Sequence, residues 1–154
     1  MKIMGIDTSI KPGNEGSVIS IVILSKGEII SAHTLDVCEI NDNLCNMIID
    51  EFKLYDCEHL AMDISGVNIQ LYEQISKYLP EWKLKCISYK QEDINDLIIR
   101  LSGYKSLNNK INIELSYEIN PVNGICKLSY DNIYSMTLVY AVGVANNEYC
   151  KLIQ

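Results

Sequence analysis

A chain of 154 residues is long enough for one domain with a real core, and its make-up, 48% hydrophobic and 21% charged with three prolines, is that of a globular protein. A net charge of −7 argues against nonspecific nucleic-acid binding by the whole surface. No apolar run reaches the roughly 18 residues a bilayer span needs, and the opening Lys2 followed by a strand-like run is not a signal peptide, so the expected location is cytoplasmic with no membrane partner.

The first stretch, Lys2–Ser9, reads as a buried strand in which Ile3, Met4 and Ile6 are apolar, Gly5 allows close backbone approach, and Asp7 stands where the strand runs out. An acid there either turns the following loop or is the first ligand of a metal or phosphate site. Ile10–Gly16 has loop composition. Ser17–Leu24 and Glu28–Leu35, joined by a turn at Lys26-Gly27, predict an antiparallel hairpin beside the first strand. Asn41 or Asp42 caps a predicted helix from Asn43 to Leu54, with Leu44, Ile48 and Phe52 on one stripe.

His59–Ile64 is a second short apolar strand that ends in an acid, Asp63. After a turn at Ser65-Gly66 the spacing of Leu71, Ile75 and Leu79 predicts a helix over Asn68–Leu79, stopped by Pro80. Trp82–Ser88 reads as a strand and Glu92–Leu101 as a helix. Ile111, Ile113, Leu115, Tyr117 and Ile119 alternate as in a strand, although Glu114–Tyr117 also fits a helical turn. Gly124–Ser129 is extended. Asp131–Ala145 predicts a last helix, apolar nearly all round and so buried against a sheet. Three antiparallel strands followed by alternating strands and helices describe one α/β domain over residues 1–154, a mixed sheet with helices on both faces.

Six widely spaced cysteines, with no Cys-x-x-Cys pair and only His33 and His59 beside them, read as reduced, mostly buried small side chains and not as a zinc site. The locally basic part of the chain runs from Lys83 to Lys110, where Lys83, Lys85, Lys90, Arg100, Lys105 and Lys110 face Glu92, Asp93 and Asp96. Such a segment is either a solvated face or a contact for a nucleic-acid backbone.

The first and fourth strands end alike: apolar residues, then Asp, then a small polar residue or a short step to one. If they run parallel and adjacent, Asp7 and Asp63 emerge side by side, an arrangement that calls for a cation between them. Asp131, opening the last helix, points to the same place if that helix crosses the sheet, or else it is an ordinary cap or first-turn acid. Carboxylates are hard ligands that suit Mg²⁺ or Mn²⁺. Two such metals can activate a water and stabilise the leaving oxygen of a phosphodiester.

Those residues carry a resemblance. Met-Gly-Ile-Asp-Thr-Ser with its hairpin, Leu60-Ala61-Met62-Asp63-Ile64-Ser65-Gly66-Val67 with its helix and following strand, and Glu114-Leu115 through Gly124 and Lys127-Leu128 to Asp131-Asn132-Ile133 together resemble an RNase H-like nuclease domain. The chain is most similar to the nuclease domain of phage terminase large subunits, with RuvC-type Holliday junction resolvases second. The resemblance implies metal-dependent cleavage of DNA, duplex or branched, with Asp7, Asp63 and Asp131 as catalytic metal ligands and Mg²⁺ or Mn²⁺ as cofactor. Lys83, Lys85, Lys90 and Arg100 become candidate backbone contacts. Phage packaging proteins become candidate partners, and an oligomer stays open.

The departures are that Tyr130-Asp131-Asn132-Ile133-Tyr134-Ser135 lacks the family's paired acids and that no phosphate loop of a packaging ATPase occurs. The chain is then a detached domain or a free-standing relative. The alternatives are an inert RNase H-like scaffold that binds protein or nucleic acid, and an actin-like ATPase half, which lacks its glycine-rich second loop here.

Overall fold

β1 (Lys2–Ser9), β2 (Val18–Ser25) and β3 (Glu28–Asp36) form an antiparallel meander, and β4 (His59–Asp63) and β5 (Leu84–Ile87) add to the other edge of β1 in parallel, giving the order β3-β2-β1-β4-β5. This computed structural model describes residues 2–9, 16–26, 28–37, 39–64, 68–87, 117–124, 126–128, 137–138 and 140–141. The β2–β3 turn carries Lys26 at a φ of 52°, as a two-residue hairpin connection requires. The register slips between Ile23 and Leu24, skipping Ile30 on β3, and that bulge turns Ile30 outward to 38% exposure.

α1 (Asp42–Leu54) begins one residue before the expected start, capped by Asn41, whose side-chain oxygen accepts the Leu44 N–H at 3.0 Å. Its buried stripe is Leu44, Cys45, Ile48, Ile49 and Phe52, as the spacing predicts. α2 (Asn68–Ile75) is shorter than the expected Asn68–Leu79. Past Ile75 the backbone tightens, with Lys77 and Tyr78 donating to the carbonyls three residues back, Gln74 and Ile75, and the chain continues as turns to Pro80. A 3-10 turn over Glu81–Lys83 takes up the start of the expected Trp82–Ser88 strand, so β5 begins at Leu84.

Strand alternation sorts the core into two layers. Met4, Ile6, Ile19, Ile21, Ile23, Leu60 and Met62 face one way and pack with the buried stripes of α1 and α2. Ile3, Val22, Leu24, Ile29 and Ala61 are buried on the opposite face. Against that second face lie the helical residues Thr137, Leu138, Tyr140 and Ala141, all buried. An all-round buried segment agrees with the apolar character of the expected last helix. Beyond the sheet, β6 (Tyr117–Ile119) and β7 (Cys126–Leu128) pair antiparallel, so Tyr117 belongs to a strand and not to a helical turn. The expected helix at Glu92–Leu101 and the strand positions before Tyr117 lie outside the described residues.

Cys45 and Cys57 are free and buried, and burial pushes the Cys57 thiol up to about 11, so both act as inert core residues. No helix among the described residues is long and apolar enough to cross a membrane.

Candidate active site

The two strands that end in acids are neighbours. β1 and β4 pair parallel with Ile3 beside His59, Met4 beside Leu60 and Gly5 beside Ala61. The same register carried two residues past the last pair sets Asp7 level with Asp63 on neighbouring strands. Side-chain alternation puts both acids on the face that holds Gly5 and Ala61, the face covered by residues 137–141. Across the other ladder Asp7 is paired with Ser20, which is buried at 2% exposure. Asp63 is paired with Ile87 of β5.

This placement changes the acid–base character of Asp7. Burial raises its pKa from 3.8 to about 6; a backbone hydrogen bond from Thr8 works against that rise, and the charge of Asp63 adds to it. The cost of keeping two carboxylates ionised here falls if a cation joins them. Their oxygens, with the Ser20 hydroxyl beside Asp7, form a hard donor set suited to Mg²⁺ or Mn²⁺ and unsuited to a thiolate-seeking metal. Among the described residues no group of three His, Cys, Asp or Glu side chains gathers, and Asp131 lies outside them.

The close approach of the segment at 137–141 depends on Gly5. A Cβ at that position would lie 2.5 Å from the carbonyl oxygen of Thr137 and 3.1 Å from Cβ of Ala141. The missing side chain therefore lets a helical segment settle on the strand that carries Asp7, two residues from the acid.

The candidate backbone contacts separate. Lys85 is paired with Ala61 and so stands on the acids' face, one strand over from Asp63 and two residues before its level. Next to it on β4, His59 is held below its ordinary pKa by burial and then by the charge of Lys85, with Nδ1 buried and unpartnered. Lys83 sits elsewhere: its Nζ lies 5.2 Å from the ring centre of Trp82 and 5.7 Å from that of Phe52, at the start of β5 and away from the acids. Lys90 and Arg100 lie outside the described residues.

Ser20 and Thr137, on the face of the acids, are not singled out by sequence patterning. Only Ser20 leaves a trace, as a lone polar residue inside the apolar run Val18–Leu24.

No protein-family model matches the chain, and no curated protein matches it. Among solved structures it is similar to the Fowlpox virus resolvase solved in complex with its substrate, Holliday junction DNA, with a TM-score of 0.50 and 15% sequence identity over 96% of this chain and 99% of that one. With its three antiparallel strands, two added parallel strands and helical cover on both faces, the fold of this chain is RNase H-like.

Proposed function

We propose that the chain is a divalent-metal-dependent nuclease that hydrolyses DNA phosphodiester bonds, with branched DNA of the Holliday-junction type as its substrate class. One observation carries this reading: the β1–β4 register, carried two residues past its last pair, sets Asp7 level with Asp63 on adjacent parallel strands, and burial, with the charge of Asp63 added, raises the Asp7 pKa to about 6. Structural roles for both acids would not explain why a half-buried carboxylate is kept beside another of like charge. Asp131 is the candidate third ligand. The fold of the Fowlpox virus resolvase supports the resolvase alternative over the terminase one, and packaging partners would follow only from the latter.

Asp7 and Asp63 would hold Mg²⁺ or Mn²⁺ between them. The metal, when bound, supplies an activated water and charge stabilisation for the leaving oxygen. The chain contributes the rest. Burial of Asp7 keeps bulk water and its competing hydrogen bonds from the carboxylates, Ser20 flanks Asp7 with a hydroxyl, and Lys85 offers a cation on the same face for a phosphate next to the cut. Lys90 and Arg100 are further candidates for backbone contact, while the position of Lys83 gives it no place on that face.

The test is cleavage of a synthetic four-way junction and nicking of supercoiled plasmid with Mn²⁺, Mg²⁺ or EDTA, with Asp63→Asn as control. Metal-dependent cutting that disappears in Asp63→Asn is expected. No cutting, together with no metal-induced rise in Tm, would reject the nuclease in favour of a non-catalytic RNase H-like scaffold.

A further inference from the structure

The hydroxyl of Thr8 donates a hydrogen bond to Oδ1 of Asn68. Thr8 follows Asp7 at the end of β1, and Asn68 opens α2, just after the segment that leaves Asp63 and β4. The bond therefore ties together the exits of the two strands that carry the acids.

Its side of the sheet matters. By alternation Thr8 faces away from Asp7, toward the layer of Met4 and Ile6 that α1 and α2 cover. Asn68 belongs to α2 and is buried at 8% exposure, an unusual place for a residue that normally caps a helix in water. The pair is thus behind the acids, out of reach of anything they hold, and can act on them only through the backbone.

The backbone pairing leaves that role open. Paired positions of β1 and β4 end at Gly5 and Ala61, two residues before the acids. Past that point no ladder pairing holds the strands at a fixed separation, and repulsion between Asp7 and Asp63 favours splaying.

We infer that Thr8 and Asn68 are positioning residues: a clasp behind the sheet that sets the spacing of Asp7 and Asp63, and with it the affinity of the divalent-cation site. The inference rests on the proposed nuclease reading. A bond that only satisfied two polar groups would contribute to stability and leave cation affinity unchanged. A clasp contributes to both.

The experiment is titration of the full chain with Mn²⁺ alone, following free Mn²⁺ by electron paramagnetic resonance, with Tm recorded for every variant. Thr8→Val keeps the shape and removes the donor, and it is expected to weaken Mn²⁺ binding by about tenfold or more, the range seen when a group supporting a metal ligand is lost. Thr8→Ser keeps the hydroxyl and should bind like the wild type. Asn68→Gln keeps the amide on a longer arm and should weaken binding while the protein stays folded, which decides the matter if Thr8→Val does not fold. Ile75→Val, a core change under the same helix, should lower Tm without moving the affinity.

Folded Thr8→Val and Asn68→Gln that bind Mn²⁺ as the wild type does would overturn the clasp alone. An equal loss in Ile75→Val would also overturn it, by showing that any loosening of α2 suffices. A wild-type chain that does not bind Mn²⁺ would instead remove the nuclease reading, and the clasp with it.

Discussion

Gly5 and Thr137 meet backbone to backbone: the position a Cβ on Gly5 would occupy is 2.5 Å from the Thr137 carbonyl oxygen. Neither partner can yield as a flexible side chain would. Gly5→Ala is therefore expected to cost about 2–3 kcal/mol or more, at the upper end of overpacking effects. For a chain of this size that is a fall in Tm of about 5–10 °C. Urea denaturation followed by circular dichroism measures it, and a loss well under about 1 kcal/mol would mean that the helical segment is not seated on β1.

Asp7 gives stability a pH dependence of unusual sign for an acid. Its folded-state pKa, about 6, is above the unfolded value of 3.8, so between those values the folded chain holds a proton that the unfolded chain has lost. This contribution to stability falls as pH rises from about 4 through about 6 and is flat above. Asp7→Asn should raise Tm near neutral pH, with the gain vanishing toward about pH 4, and should abolish cleavage. Calorimetry across that range decides it, and a Tm gap independent of pH would place the acid in water.

Saturating Mg²⁺ or Mn²⁺ has the opposite pH dependence. Binding requires both carboxylates ionised, so the rise in Tm on adding metal should be small near pH 5 and full above about pH 7. At a hundredfold excess over Kd the stabilisation is about 2.7 kcal/mol. Thermal melts with metal and with EDTA at the two pH values supply the comparison. An equal shift at both would locate the metal away from Asp7.

Lys85 and Lys83 should behave differently although only Leu84 separates them. Lys85→Ala is expected to weaken junction binding by about 1 kcal/mol and to reduce the salt dependence by about one phosphate contact. Lys83→Ala should leave both nearly unchanged, because its ammonium rests against Trp82 and Phe52. Binding isotherms at several salt concentrations separate the two, and equal effects would show that nucleic acid reaches the start of β5.

The α1 cap and core offer a check on the scaffold itself. Asn41→Ala removes the acceptor of the Leu44 N–H and should cost about 1 kcal/mol. Phe52→Ala opens the centre of the layer between α1 and the sheet and should cost about 3–5 kcal/mol. Denaturation midpoints at matched m-values test both.

The parts of this fold that local pattern reveals are those with local causes. The hairpin follows from two Val- and Ile-rich runs and a Lys-Gly turn, α1 from its stripe and its asparagine, and the pair of acids from two strands with matching ends. What local pattern hides depends on residues far apart in the chain. Charge counting groups Lys83 with Lys85, but only strand register and the 3-10 turn before β5 show that one stands on the acids' face and the other against aromatic rings. The end of α2 at Ile75 lies where the last turn tightens, with Lys77 and Tyr78 donating to the carbonyls three residues back, Gln74 and Ile75. Thr8 and Asn68 are ordinary polar residues in the sequence, sixty positions apart, and acquire a role only when β1 and α2 are brought together.

The exposed ring at the start of β5 has a spectroscopic consequence. Trp82 is the chain's single tryptophan and is 65% exposed, with an ammonium group over it. Its indole is already hydrated in the native protein, so its emission starts red-shifted and changes little when the chain unfolds. An ion held at the opposite end of the strands is too remote to quench it by contact. Tryptophan emission, excited apart from that of the ten tyrosines, therefore reports on one corner of the molecule, and a silent tryptophan signal carries no information about whether the acids have been filled.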